Sequence, residues 1–340
     1  MNTGTVSHSG VVGRFAPSPT GLLHLGNAWS FLLAWLAAKT EEGRIILRHE
    51  DIDPVRSRKN WMDAIERDLQ WLGLDWDEGP DDGPHAPYRQ SLCSPLYEKA
   101  LDLLKARHLV YPCYCTRREL RLLAGAPHGA ADGLGDAGAA YPGTCRHLST
   151  QERARKEAEG RRPSLRLLCP DDTEETFDDL VLGRQRIPLK NCGGDFALRR
   201  SDGVWAYQLA VVVDDMRMGV TQVVRGEDIL LSTPRQLLLY RLLGGMPPVF
   251  AHIPLLHDKD GERLAKRHQS LSLAALRERG CRPENIIGFL AHLAGFQENP
   301  SPLSPAALAE RIRREGGFPW HALPKTHILI PDNPEHILLS

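Results

Sequence analysis

His24 and Gly26 lie in an HLG tripeptide, at the point where a short apolar strand pattern passes into a helical one. The start of a helix carries unpaired backbone N–H groups and favours anions such as nucleotide phosphates. The preceding residues contain two prolines that stiffen the turn and a glycine that lets a ligand approach the backbone. The same spacing recurs at His8 and Gly10, so the context, rather than the tripeptide, indicates a phosphate-binding histidine.

Three of the seven cysteines form a second group with chemical potential, with Cys113 and Cys115 close together and Cys145 further along. The stretch 125–140 between them is rich in Gly and Ala and predicts a flexible insertion. Thiolates are preferred zinc ligands, and a tetrahedral ion would close a loop that has no core of its own. Free thiols are the alternative interpretation.

Composition limits the class of protein. The chain has 340 residues, 42% of them hydrophobic, with 42 Lys and Arg against 43 Asp and Glu, which is typical of a globular protein. The formal net charge of -1 gives no support to a nucleic-acid partner, so any such partner must be inferred from local features. The longest apolar run, 31–38, is too short to cross a bilayer, and the N-terminus does not resemble a signal peptide. We therefore expect a cytoplasmic protein without membrane contact.

Hydrophobic periodicity predicts the elements that must position these residues. A strand at 11–15, a helix at about 25–39 and a strand at 44–50 form a βαβ opening. Amphipathic helices are predicted at 59–72 and about 95–106, and strand and helix patterns return after residue 160. These patterns predict an α/β fold, a parallel sheet with an insertion, followed by helices from Ser272 and a proline-punctuated tail.

Three blocks resemble the signatures of class I glutamyl-tRNA synthetases and occur in the family's order. They are RFAPSPTGLLHLGN at 14–27, LRHEDIDPVRS at 47–57 and RLAKR at 263–267, here called the lysine loop. The resemblance covers about 11–333 and implies a Rossmann-like parallel sheet with an inserted zinc-bearing subdomain and a small C-terminal helical region. The implied domains are 11–110 and 191–270 for the two halves of the nucleotide-binding domain, 111–190 for the insertion, and 271–340 for the helical region and tail.

The resemblance also implies which residues bind ATP and activate the amino acid. The ATP-binding residues would be His24, Gly26, Asn27 and Lys266. His24 and Lys266 would be catalytic, because they would stabilise the negative charge that builds on the α-phosphate and on departing pyrophosphate, together with Mg2+. The family's lysine loop usually reads Lys-x-Ser-Lys, whereas this chain has Arg263 and Ala265 at the first and third positions but keeps Lys266.

Glutamate carries two carboxylates and one ammonium group, so its site needs two cations and one anion. Arg14, Arg225 and Glu50 supply that set, and arginine suits a carboxylate because it can bind in a bidentate way. Which arginine binds which carboxylate is left open. The glutamate-binding residues implied by the resemblance are Arg14, Phe15, Ala16, Pro17, Ser18, Glu50, Tyr207 and Arg225.

The cysteine group resembles the structural zinc site of one subgroup of the family, in which a tyrosine oxygen is the fourth ligand. The implied zinc ligands are Cys113, Cys115, Tyr141 and Cys145. His147 is the alternative fourth ligand, because imidazole is a more common zinc ligand than phenol.

The sequence after the lysine loop predicts which activity of the family applies. The remaining residues leave no room for the large helical domain that reads the anticodon in full-length enzymes, and Trp29 replaces the family's arginine after HLGN. These features resemble short paralogues that activate L-glutamate with ATP but without tRNA, and then attach it to queuosine in the anticodon of tRNA(Asp). The alternatives are a truncated enzyme that charges the tRNA 3' end and a non-catalytic paralogue. We expect a monomer.

Overall fold

The computed structural model describes residues 10–116, 118–120, 141–170, 172–264 and 271–339. Lys266 and Ala265 of the lysine loop, and the Gly- and Ala-rich stretch at 125–140, lie outside the described residues. In chain order the helices are α1 Leu25–Lys39, α2 Lys59–Leu72, α3 Ser94–Ala106, α4 Thr150–Ala158, α5 Tyr207–Arg217, α6 Thr233–Leu243, α7 Leu273–Glu278, α8 Pro283–Leu293, α9 Pro305–Arg314 and α10 Glu335–Leu338.

The strands form several small sheets that are joined by backbone contacts. They are β1 Val12–Phe15, β2 Arg44–Leu47, β3 Val110–Cys113, β4 Ser164–Leu167, β5 Glu174–Asp179, β6 Gly183–Pro188, β7 Ala197–Arg199, β8 Gln222–Gly226, β9 Val249–Ile253, β10 Leu256–His257 and β11 Ile328–Leu329. Short 3-10 helices include Glu227–Ser232, between β8 and α6.

The predicted βαβ opening is present. β1 and β2 pair in parallel from Val12 with Arg44 to Phe15 with Leu47, and α1 makes the crossover between them. The turn into β2 requires Gly43, because a Cβ at this position would lie 2.3 Å from the carbonyl oxygen of Val11. The chain therefore enters β2 directly against the start of β1.

A four-stranded sheet lies beside this opening. β8 and β9 pair in parallel, and β9 also pairs in parallel with β5, in a four-stranded sheet of order β6-β5-β9-β8. The N–H of Thr221 donates to the carbonyl of Val12 at 3.0 Å, which joins the start of β8 to β1. The carboxyl ends of β1, β2 and β8 consequently face one region, where ligands bind in open α/β sheets.

The C-terminal helices share a core with the opening. Leu33 of α1, Leu69 of α2, Phe289 of α8 and Leu308 of α9 belong to one buried apolar cluster. Within the described residues, no helix is both long and apolar enough to span a bilayer.

The proline-punctuated C-terminal tail contributes regular structure. β11 pairs in parallel with β10, immediately before the lysine loop, and α10 follows it. The carbonyl of Leu338 accepts from Asn285 Nδ2 at 2.9 Å, so the tail is hydrogen-bonded to α8. A two-residue strand such as β11 is too short for periodicity to reveal.

Candidate active site

His24 begins α1 and caps it. Its Nδ1 accepts from the backbone N–H of Gly26 at 3.1 Å, and the side-chain oxygen of Asn27 accepts from the His24 N–H at 3.0 Å. Because Nδ1 is an acceptor, a neutral His24 carries its proton on Nε2. The imidazole is half-buried at the helix start, where backbone N–H groups and the helix dipole favour anions.

The chain on both sides of residues 265–270 contacts this helix start. Ser272 forms an antiparallel bridge with His24, and the Leu273 N–H donates to the Leu23 carbonyl at 2.9 Å. On the other side, the carbonyl oxygen of Leu264 lies 3.7 Å from where a Cβ on Gly26 would be. The structure thus brings the HLG block and the two flanks of the lysine loop together, whereas Lys266 itself lies outside the described residues.

The predicted glutamate-binding charges converge from separate elements. Arg14 lies in β1, Glu50 follows β2, Arg225 lies in β8, and all three are buried. Tyr207 begins α5, and its pKa is raised by burial and by the nearby Glu50, against the opposing effect of Arg225 and Arg14. The four side chains therefore share one electrostatic environment.

Arg48, which the sequence analysis did not single out, holds Glu50 in place. Its Nη2 lies 3.1 Å from Glu50 Oε1 and its Nη1 lies 2.6 Å from Asp215 Oδ1, with all three side chains buried. Asp215 also lies 3.6 Å from Nε of Arg14. Burial raises the pKa of Glu50, although Arg48 and Arg14 oppose the shift. A paired, buried carboxylate of this kind is a suitable partner for a ligand's ammonium group.

Arg225 is bound by three polar side chains. Its Nε donates to His252 Nε2 at 3.0 Å, its Nη1 to Gln236 Oε1 at 2.8 Å and its Nη2 to Thr233 Oγ1 at 2.6 Å. His252 Nδ1 lies 2.6 Å from Asp179 Oδ2. Burial lowers the pKa of His252 to about 4, against the opposing hydrogen bond with Asp179, so the imidazole is neutral at physiological pH.

The end of β1 and the residues 16–18 that follow it hydrogen-bond through their backbone to the residues just after β2. The carbonyls of Phe15 and Pro17 accept from the N–H groups of Arg48 and Glu50, each at 2.9 Å. The Phe15 side chain is fully buried in the core, and that of Ser18 is exposed. Ala16 is half-buried, so within residues 15–18 only the side chain of Ser18 is exposed.

The cysteine group is compact enough for a metal ion. The sulfurs of Cys113, Cys115 and Cys145 all lie within 4.8 Å of one another, and Cys115 and Cys145 are 3.6 Å apart. The phenol oxygen of Tyr141 lies 3.3 Å from Cys113 Sγ and 3.9 Å from Cys115 Sγ. A tetrahedral zinc ion with Zn–S bonds of about 2.3 Å requires S–S separations of about 3.8 Å, so the donors fit.

The Tyr141 oxygen, and not the His147 imidazole, lies beside the three sulfurs. His147 is exposed and does not belong to the cluster that the described residues form, whereas Tyr141 OH also accepts from the Cys145 N–H at 2.9 Å. Hydrogen bonding with Cys115 and Tyr141 lowers the pKa of Cys113, which favours its thiolate form.

Comparison with known proteins identifies the class. The sequence profile of tRNA synthetases class I (E and Q), catalytic domain, matches residues 10–304. The chain therefore belongs to the class I tRNA synthetases of the E and Q type.

Individual relatives show which members of the family this chain is similar to. The chain is 60% identical over 294 residues to the Glutamyl-Q tRNA(Asp) synthetase of Nitratidesulfovibrio vulgaris, with 86% of this chain and 89% of that protein covered. It is 55% identical to the Glutamyl-Q tRNA(Asp) synthetase of Symbiobacterium thermophilum, over 87% of this chain and 90% of the relative. A glutamate tRNA ligase structure from Elizabethkingia meningosepticum, in complex with its amino acid, superposes with a TM-score of 0.77 at 28% identity, over 94% of this chain and 67% of that one.

The predicted family, α/β fold and ligase class are confirmed by these similarities. Asp179, Asp215, Gln236 and His252 belong to none of the three matched blocks and were not among the predicted site residues. The signal that could have found them is a polar residue inside an otherwise apolar run, such as His252 in VFAHI. A buried polar group in such a run needs a hydrogen-bond partner, and it often contacts a functional residue.

Proposed function

We propose that this chain activates L-glutamate with ATP in the absence of tRNA and transfers it to queuosine in the anticodon of tRNA(Asp). The observation that carries the proposal is the convergence of two buried arginines and a buried glutamate at the carboxyl ends of β1, β2 and β8. That set matches the two carboxylates and one ammonium group of glutamate. Two relatives named Glutamyl-Q tRNA(Asp) synthetase match this chain at 60% and 55% identity over most of both sequences, and their name supports transfer of glutamate to tRNA(Asp).

The chemistry of the first step follows from charge. The α-carboxylate of glutamate is already ionised at pH 7, so it needs no general base. One of its oxygens forms a bond to the α-phosphorus of ATP while the α–β phosphoanhydride bond breaks, and pyrophosphate leaves with the electron pair. His24, the start of α1 and Lys266 stabilise the developing charge. Mg2+ bound with ATP would neutralise phosphate charge.

Glutamate is oriented by the buried charges. Glu50, held by Arg48, receives the ammonium group, and Arg14 and Arg225 receive the two carboxylates. We assign the side-chain carboxylate to Arg225 and the α-carboxylate to Arg14. Transfer from the adenylate to queuosine then releases AMP.

We further propose that Cys113, Cys115, Tyr141 and Cys145 bind one structural zinc ion. The supporting observation is the fit of three sulfurs and one phenol oxygen to a tetrahedral ion. The ion would hold the chain around residues 113–145, a segment whose small buried cluster contains these residues.

ATP–pyrophosphate exchange with purified protein tests the proposed activation. Exchange that depends on glutamate and not on tRNA supports the proposal. Exchange that appears only with tRNA contradicts the tRNA-independent step and favours a charging enzyme, and no exchange with any amino acid favours a non-catalytic paralogue.

The second step is tested with tRNA(Asp) with and without queuosine. Labelled glutamate on the queuosine-containing tRNA alone supports the proposed target, whereas label at the 3' adenosine of either tRNA contradicts it.

A further inference from the structure

Arg225 differs from the other two buried arginines of the site in the charge of its partners. Arg48 is paired with the carboxylates of Asp215 and Glu50, and Arg14 lies beside Asp215. Among the residues that the structure describes, no carboxylate lies within ion-pair distance of Arg225, and its hydrogen-bond acceptors are an imidazole, an amide and a hydroxyl. Its guanidinium is held firmly, but its charge is not neutralised by a contacting group.

The pKa shifts follow this difference. Burial lowers the pKa of Arg225 and the nearby Arg14 adds to this shift, whereas Tyr207 and Asp215, which form no ion pair with Arg225, oppose it. Burial also acts against the charge of Arg48, yet Asp215 and Glu50 raise the pKa of Arg48 well above its usual value. The face of the Phe250 ring, 5.0 Å from the Arg225 guanidinium carbon, gives only a weak cation–π contact.

Asp179 orients the imidazole partner, whereas burial keeps the ring neutral. Its carboxylate accepts from the backbone N–H of His252 at 3.1 Å and from Nδ1 at 2.6 Å. With the proton on Nδ1, Nε2 is an acceptor and can receive the Arg225 Nε–H. Asp179 therefore fixes the position of the Arg225 guanidinium through the neutral ring of His252. Its carboxylate does not contact the guanidinium itself.

We propose that His252, Thr233 and Gln236 are positioning residues that determine amino-acid specificity, because they hold Arg225 through neutral acceptors and leave its charge for the side-chain carboxylate of the substrate. This inference rests on the proposed function of the site in binding glutamate. A substrate carboxylate neutralises the buried cation, whereas the amide of glutamine can offer only a hydrogen bond. Because the groups that contact Arg225 are neutral, the difference in binding between glutamate and glutamine is large.

The decisive experiment adds a negative charge beside Arg225 without changing shape. Gln236→Glu is isosteric with the wild type, and Gln208, whose Oε1 accepts from Gln236, can turn its amide to donate instead. Gln70→Glu, on the exposed face of α2, is the control for the same chemical change elsewhere. Thr233→Asp and Thr233→Asn form a second pair that differs in charge and not in shape.

The expected result concerns the ratio of kcat/KM for glutamate over glutamine in ATP–pyrophosphate exchange. Gln236→Glu and Thr233→Asp each lower this ratio at least about tenfold, mainly through a higher KM for glutamate, because the new carboxylate replaces the substrate's. Thr233→Asn and Gln70→Glu keep the ratio within about threefold. An unchanged ratio in both charged variants, or an equal loss in Thr233→Asn and Thr233→Asp, overturns the proposal.

A measurement without substrate separates this inference from the proposed function. Neutralising an uncompensated buried cation favours folding, so we expect Gln236→Glu to unfold at a higher temperature than the wild type, and Thr233→Asp at a higher temperature than Thr233→Asn. If the wild type activates no glutamate, the proposed function fails, and these unfolding temperatures then decide the inference. A gain in both pairs supports the neutral surroundings of Arg225, and no gain in either overturns them.

Discussion

Ser272 and His24 form an isolated antiparallel bridge, which joins the chain leaving the lysine loop to the start of α1. Two blocks that the sequence places far apart, and that both are predicted to bind ATP, are thus connected through the backbone. The contact places the described flank of the lysine loop at the helix start where the phosphates of ATP would bind. His24 also caps α1, so a substitution there has to separate the helix cap from the phosphate binding that we propose.

We expect His24→Asn to separate these two roles. Asparagine caps helices well, so the free energy of unfolding should stay near that of the wild type, whereas His24→Ala should lose about 1 kcal/mol. Both variants remove the imidazole, and the rate of pyrophosphate exchange should fall by about 100-fold or more in each. Urea unfolding and exchange kinetics are the measurements. A His24→Asn variant with the wild-type exchange rate would show that the imidazole acts only as a cap.

The two arginines are expected to differ in what they select. Arg225→Gln should reduce the preference for glutamate over glutamine by roughly 2 to 5 kcal/mol, because the charge-assisted pair with the side-chain carboxylate is lost. Arg14→Gln should weaken both amino acids alike, since they share the α-carboxylate. Adenylation kinetics with both substrates measure this. If Arg14→Gln changes the preference while Arg225→Gln does not, the two assignments must be exchanged.

Metal analysis of the purified protein checks the cysteine site. We expect a single zinc ion per chain, lost in Cys115→Ser because a serine hydroxyl is a poor zinc ligand. Tyr141→Phe should lower the zinc content or its resistance to a chelator, and His147→Ala should leave both unchanged, since His147 is outside the cluster. Zinc-free protein with undiminished stability would remove the site, and loss of zinc in His147→Ala would reassign the fourth ligand.

Acid should destabilise the fold through His252. The folded-state pKa of His252 is lowered to about 4, below the ordinary value of about 6.5, so the unfolded chain binds a proton that the folded one does not. The contribution of His252 to the free energy of unfolding is fully present above about pH 6.5. It is lost as the pH falls towards 4, and the total loss is about 3 kcal/mol. Asp179, whose pKa is lowered although burial opposes this, acts in the same direction at still lower pH.

Urea unfolding between pH 4 and 7 measures this dependence. His252→Asn should flatten the curve between pH 6.5 and 4, whereas His321→Gln, at an exposed histidine, should follow the wild type. A wild-type curve that is already flat in this range would contradict a buried neutral His252.

Local patterns predicted much of the fold. The helix predicted at 59–72 is α2, Lys59–Leu72, and the one predicted at about 95–106 is α3, Ser94–Ala106. Each has a clear apolar face, α2 ends at Gly73, and α3 has a proline in its first turn. The tail strand β11 and its pairing with β10 could not be predicted in this way. Pairing between distant segments depends on the tertiary fold, which periodicity does not contain.

The residues of the candidate site also divide into those that the sequence predicts and those that only the tertiary fold reveals. Arg14 and Glu50 were accessible from the sequence because they lie in two of the matched blocks, and Arg225 was accessible through the family resemblance and the charges that glutamate requires. Asp215 and His252 were not, since their importance comes only from side chains that lie far from them in sequence, such as Arg48 for Asp215 and Arg225 for His252. Residues that bind a ligand directly leave a signature, whereas residues that orient them leave mostly an isolated polar position in an apolar run.

The contact of Asp179 with His252 has a consequence for recombination between relatives. Asp179 is in β5, and its carboxylate binds both the ring and the backbone of a residue in β9. A chimaera that exchanges residues 111–190 as a cassette would replace Asp179 together with the cysteine group, and with it the residue that orients the ring beside Arg225. A crossover point placed before β5 would keep this pair in one parent, so the choice of junction should decide whether such hybrids retain amino-acid selectivity.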